Sequence, residues 1–269
     1  ALSKNVVCTG ITSNKVYAVN IQVSDANGLI VTKALSFDTF NPNFYTVEAE
    51  DWDFNGGGFI DNPQTNAYFG SNSVAEVDYH ETSTGTNAAT WTYRPWVDAN
   101  IPVPQTEVTF DVKRAQYAND NDYDIGWFDN NEWLNYTRTY PTGLFNVWAR
   151  MASPGSSTLR FSQVTAGRGT VDQTVVPIGS FAQTGGLGWS SYSWVPLTDA
   201  TGNLVKLNLA GVTTLRATGG GNANYQFFML VPADTNAPNI SGLYPDGATL
   251  FQSTNKLSFN VASVVGVNA

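Results

Sequence analysis

The sequence predicts an all-β fold, a β-sandwich of the jelly-roll kind. Three observations predict it. Charged residues make up only 13% of the 269 residues, while Gly alone contributes 24 and Asn, Thr and Ser are plentiful; such a composition suits strands and turns better than helices. Short segments alternate apolar and polar residues and stop at Gly, Pro, Asn or Asp. No segment sustains a helical period between capping residues.

Taken in order, the first element is a hairpin. VYAVNIQVS alternates from Val16 to Val23, Asp25-Ala26-Asn27-Gly28 supplies a turn, and LIVTKALSF gives the returning strand. From Phe44 to Asp234 the strand candidates are TEVTFDVKR, EWLNYTRTY, LFNVWARMA, STLRFSQVT, YSWVPLTD, VKLNLAG, TTLRATG and QFFMLVP, the many short strands of a sandwich. After Pro232, ADTNAPN reads as a linker, and two further strands flank Pro245-Asp246-Gly247. The expected organisation is residues 1–43 as the closing strands of one domain, 44–234 as the main sandwich and 235–269 as the opening strands of another. The few strands at each end cannot bury both faces alone. The chain also begins inside a strand-like pattern, as expected of a piece of a longer, repeating protein.

Composition excludes several functions. The net charge is -9 with a pI near 4.4; nucleic acid needs clustered Lys and Arg to displace counterions, whereas neutral ligands and hard cations suit an acidic chain. Cys8 is the one cysteine, so no disulfide forms within the chain, and His80 is the one histidine, which rules out a multi-His zinc site. No apolar run of about 18 residues is present to span a membrane. Nucleophile elbows, phosphate loops and metalloprotease motifs are absent; the glycines at 56–58 lack the strand-to-helix setting a phosphate loop requires. His80 reads as a surface or turn residue. Asp120, Asp122, Asp124, Gly126, Asp129 and Glu132 imitate a calcium loop, but Gly and Glu fall at positions seven and thirteen rather than six and twelve, so they read as a solvated acidic loop.

Five motifs in order resemble family 6 carbohydrate-binding modules and their family 35 relatives. Glu48-Ala49-Glu50 matches the first strand. Gly126-Trp127-Phe128-Asp129-x-x-Glu132-Trp133-Leu134-x-Tyr136 matches Gly-Tyr-Ile-Asp-x-Gly-Asp-Trp-x-x-Tyr. Pro141-Thr142-Gly143-Leu144-Phe145-Asn146-Val147 matches Pro-x-x-Gly-x-Tyr-x-Val. Gly188-Trp189 with Tyr192 and Trp194 matches Gly-Gly-Trp-x-x-Trp, and Asn224-Tyr225-Gln226-Phe227-Phe228 matches Asn-x-Asn-Trp-Phe. Three departures stand out: a long insertion between Glu50 and Gly126, Asn at 131 for the usual Gly, and Gln226 for the second Asn. The end segments resemble halves of bacterial immunoglobulin-like or fibronectin type III-like domains, through Tyr17-x-Val19-x-Ile21-x-Val23-x-Asp25-x-x-Gly28.

The resemblance implies a non-catalytic module that binds a polysaccharide or oligosaccharide, a plant, algal or microbial β-glycan. A pyranose stacks its C–H face on an aromatic ring while donors and acceptors meet its hydroxyls. By position, Tyr117 and Trp189 are the aromatic pair and Asn224 the amide. The glycines of GGLGW are a poor setting for a core tryptophan and a good one for an exposed platform. Tyr68, Trp91 and Trp96 in the insertion are read as packing or lid residues. Trp133 and Tyr136 are read as packing residues, with Trp133 facing the core. The family's structural calcium falls on Glu48, Glu50 and Asp234; read from the residues alone, Glu48 and Glu50 are equally a solvated acidic edge. The expected setting is secreted or on the cell surface, beside neighbouring immunoglobulin-like repeats of the same protein. Two rival readings stand: a structural repeat of an adhesin, filament or surface layer without sugar binding, and a glycosidase using Asp129 and Glu132.

Overall fold

The computed structural model describes residues 5–64, 66–82, 93–94, 105–108, 123–234, 239–248 and 256–262, for 105–108 the backbone only. They fall into two units: Pro42–Ala233, and a second made of Ala1–Asn41 and Asp234–Ala269. Every regular element among the described residues is a strand, and no helix there is long and apolar enough to cross a membrane.

In the second unit, β1 (Val16–Ser24) runs antiparallel to β2 (Ile30–Asp38). The Asp25 carboxylate fixes their turn by accepting the N–H groups of Asn27 and Leu29, each at 2.9 Å. An Asp side chain that bonds the backbone two residues on is a standard turn device.

The first unit contains β3 (Thr46–Glu48), β4 (Tyr79–His80), β5 (Gln105–Val108), β6 (Tyr123–Gly126), β7 (Trp133–Ser153), β8 (Ser157–Ala166), β9 (Thr174–Gln183), β10 (Gly188–Thr198), β11 (Leu207–Thr218) and β12 (Asn224–Pro232). Hydrogen bonding orders them β10-β9-β8-β11-β7-β12-β6-β5, with β3 on β12 and β4 on β7. Because β10 also pairs with β7, the path returns on itself around one core. A final hairpin, β13 (Asn239–Tyr244) with β14 (Ser258–Ala262), belongs to the second unit.

β7 serves both halves of the sandwich. Its first residues, from Trp133, pair with β11 along Gly211–Thr218, and its later residues pair with β10 and β12. EWLNYTRTY and LFNVWARMA are therefore one strand carried through Pro141-Thr142-Gly143, not two. VKLNLAG and TTLRATG likewise join as β11, with a register shift between Leu209 and Gly211. β9 has no counterpart among the expected strands. Pro177 and Gly179 disguise it; both sit at a register shift against Phe161 and Ser162, where a β-bulge tolerates them. A side chain at Gly179 would also meet the Thr198 carbonyl at 2.5 Å.

Leu134 and Tyr136 from the first half of β7, Val147, Ala149 and Met151 from the second, and Phe161, Phe181, Leu215 and Phe228 from neighbouring strands fill the core. Phe161 sits at its middle, with ring centroids 5.3 Å from Phe181 and 5.1 Å from Phe228. Burying each such side chain stabilises by roughly 1.5–3 kcal/mol. Trp133 departs from expectation: strand alternation puts it on the face away from this core, where it stacks on His80 at 6.1 Å and under the Arg216 guanidinium at 3.6 Å. His80 also holds Glu76, Nδ1 to Oε1 2.6 Å.

The described residues of the insertion bury several polar groups. Asp53 is buried, and its carboxylate accepts the Thr137 N–H at 2.6 Å and hydroxyl at 2.5 Å. Asp78 accepts the N–H groups of Gly56 (2.9 Å), Gly57 (2.5 Å) and Val74 (2.9 Å), so the glycine run cradles an anion supplied by the chain itself. Tyr68 is fully buried between the guanidiniums of Arg94 and Arg138, a packing role as expected. Trp91 and Trp96 lie outside the described residues.

Burial pushes the Asp53 carboxyl up to about 7, against the opposing pull of its Thr137 hydrogen bonds and of Arg138. An acid raised on folding stabilises the fold fully below its unfolded pKa near 3.9, and that contribution is lost as pH rises towards the folded value. The urea midpoint of the wild type should therefore fall between about pH 4 and pH 7, and Asp53→Asn should flatten part of that slope; parallel slopes in the two proteins would contradict the assignment.

Candidate functional site

The bend after β6 builds the site. β6 ends at Gly126, and the two aromatics that follow part there. Phe128 enters the core, edge-on to Tyr225 at 5.6 Å. Trp127 turns outward on a left-handed backbone, φ 51°, and leaves 60% of its surface exposed. That conformation costs a bulky residue about 1–3 kcal/mol and persists only where its surroundings enforce it.

The loop after it is well tied. Buried Glu132 accepts the Asp129 N–H at 2.7 Å and bonds both the N–H and hydroxyl of Thr82, at 3.2 and 3.0 Å. Asn131 sends its N–H to the Gly219 carbonyl at 3.1 Å, and its side-chain oxygen accepts from Arg160 at 2.7 Å. Asn131 has φ 75°, which explains the departure from the family's Gly: Asn is the side chain that best tolerates this region. Burial, and then the charge of Glu132, holds the Asp129 carboxyl above its ordinary range. Glu132 thus clamps backbone, and Asp124, expected in a solvated loop, is instead buried in β6 where it accepts the Tyr192 hydroxyl. Asp120 and Asp122 lie outside the described residues.

A second loop faces the first. Gly186 lies against the Ser153 carbonyl with no room for a side chain, and Gly188 pairs with Ser153 at the start of β10. Trp189 is left 48% exposed. At the start of β12, Asn224 is 6% exposed and donates its side-chain N–H to the Trp189 carbonyl at 3.2 Å, bracing that platform. Trp127, Asp129, Trp189 and Asn224 line one cleft of about 490 Å³, with Phe128 and Ala223 among its other walls.

Two sequence-predicted residues, Trp189 and Asn224, are thus brought together; Tyr117 lies outside the described residues. Trp127 was missed as a binding candidate. The Trp-Phe pair is visible in the sequence, but the left-handed backbone that turns Trp127 outward is not.

The metal set is not assembled as expected. Among the described residues no group of three or more His, Cys, Asp or Glu is arranged to hold an ion. Glu48 and Glu50 are 3% and 5% exposed, not a solvated edge, and β3 ends at Glu48, with Glu50 in the turn closed by the Asp51 N–H on the Glu48 carbonyl at 3.1 Å. Two buried carboxylates suit a hard cation in donor chemistry; Asp234 belongs to the second unit.

The arrangement is an all-β sandwich with an aromatic cleft at its loop end. No family model matches the sequence, and no curated protein is significantly similar to it. The structural neighbours include family 6 carbohydrate-binding modules. One from Clostridium stercorarium, solved with cellobiose, has a TM-score of 0.41 at 15% identity, covering 71% of this chain and 95% of that one. A module from a Cellvibrio mixtus lichenase, solved with cellotriose, has 0.36 at 18% identity, covering 49% and 88%. A family 36 module solved with calcium and xylotriose has 0.34 at 12% identity, covering 70% and 99%.

The left-handed backbone at Asn131 has a measurable consequence. Asn131→Gly should hold stability within about 1 kcal/mol, whereas Asn131→Val should cost more than that. Thermal melts that rank the two the other way would remove the conformational explanation.

Proposed function

We propose that the cleft binds a saccharide without cleaving it. The observation that carries this is the pair of exposed indoles, Trp127 and Trp189, in one cleft with the Asn224 carboxamide. Rings of this size bury about 150–250 Å² each when covered, and one of them stands on a strained backbone while serving no core. Stacking on the indoles supplies affinity, and polar groups at the rim select among hydroxyl patterns. Tyr117 is proposed as a third aromatic of the same site. Such sites bind weakly one at a time, and tandem copies in a secreted or surface protein raise avidity.

Calorimetry against β-1,4-glucan, β-1,3-glucan and xylan oligosaccharides tests the reading. Trp127→Ala and Trp189→Ala should each weaken binding roughly tenfold or more, and Tyr117→Ala should weaken it less. Affinity that survives both indole changes counts against the site.

Calcium belongs to the proposal only through Glu48 and Glu50. What supports it is two buried carboxylates two residues apart, at and just past the end of β3. A ligand that binds only the folded state raises the melting temperature, so melts with calcium should lie several degrees above melts with chelator; coincident curves remove the ion.

The rival reading, a structural repeat without sugar binding, draws on the exposed apolar side chains of the end hairpins: Val23, Ile30 and Val31 in one, Ile240 and Phe259 in the other. Absence of binding across the oligosaccharide panel would favour it.

A further inference from the structure

Among the described residues, Asp129 is the one ionisable side chain lining the cleft, and it lies beside two exposed indoles. An indole face carries negative charge density that attracts cations more strongly than any other side-chain ring. A carboxylate next to two such faces makes a setting that favours a positive group and disfavours a negative one. Glu132 adds a second carboxylate directly behind, bonded to the Asp129 N–H at 2.7 Å. Arg160 of β8, the basic residue bonded to this loop, is held by Asn131 and does not line the cleft. The chain as a whole carries a net charge of -9, a field that draws cations and repels anions at a distance.

Resting on the saccharide reading above, we propose that Asp129 gives the cleft a charge preference: it takes saccharides bearing a protonated amine, such as glucosamine oligomers, ahead of their N-acetylated counterparts, and discriminates against uronic acids. The ammonium of an amino sugar sits against the carboxylate while the apolar face of its ring stacks on an indole. N-acetylation removes the charge and leaves the ring, so comparing the two forms isolates the electrostatic part.

The experiment measures affinity at about pH 5.5, where the sugar amines are mostly protonated, for tetramers of glucosamine, N-acetylglucosamine, β-1,4-linked glucose and galacturonate. The glucosamine tetramer should bind about tenfold tighter than its N-acetylated form, and the galacturonate tetramer should bind more weakly than the glucose tetramer. Raising ionic strength should shrink the first ratio in the wild type. Asp129→Asn should bring it to within about twofold, while Asp25→Asn, which removes one charge from the β1–β2 turn, should leave it unchanged. Glucose tetramer binding with a glucosamine ratio near one, or a ratio indifferent to both salt and Asp129→Asn, would overturn the charge preference and leave the saccharide site standing. If no tetramer binds, both fall together.

Discussion

Just past the end of β6 the backbone turns left-handed at Trp127, and two aromatics in succession part there. Phe128 enters the core and anchors the loop; Trp127 is thereby driven outward. The cleft depends on that division. If Trp127 took the inner position, the loop from Asp129 to Glu132 would lose its anchor and the cleft one of its two platforms. The glycines of the opposite loop matter for the same reason, since Gly186 must lie flat on Ser153 for Trp189 to stand where it does.

Carboxylates do much of the work that helices and their caps do elsewhere. Asp78, Glu132 and Asp25 each accept two or more hydrogen bonds, backbone N–H groups prominent among them. Charge-assisted bonds of this kind are stronger than neutral ones, and a loop-rich protein needs them because its backbone donors lack regular partners. Acidic residues that look, in sequence, like metal or catalytic candidates are therefore partly loop clamps. Glu132 is the clearest case: complete burial and three bonds to Thr82 and Asp129 account for it.

The all-strand class was legible from composition and alternation, and so were the β1–β2 hairpin and the exposure of Trp189, although Trp189 lies within β10, just after the glycine-rich turn, and not on a loop. What was not legible has identifiable causes. β9 was hidden because Pro177 and Gly179 look like breakers until a neighbouring strand supplies a bulge. The joins within β7 and β11 were hidden because a bend and a turn carry the same residues. Trp133 faces away from the core because His80 and Arg216, distant in sequence, cover it. The burial of Glu48 and Asp124 follows from tertiary packing, to which a local reading of charge is blind.

The Leu230 N–H bonds the Tyr45 carbonyl at 2.8 Å, and β3 lies antiparallel on β12. The polypeptide thus enters and leaves the cleft-bearing unit at neighbouring points. A unit whose two ends meet needs little of its host beyond a small gap to bridge, so it can be excised or spliced into another loop as a cassette. The surrounding chain can then diverge freely without disturbing the recognition element it carries.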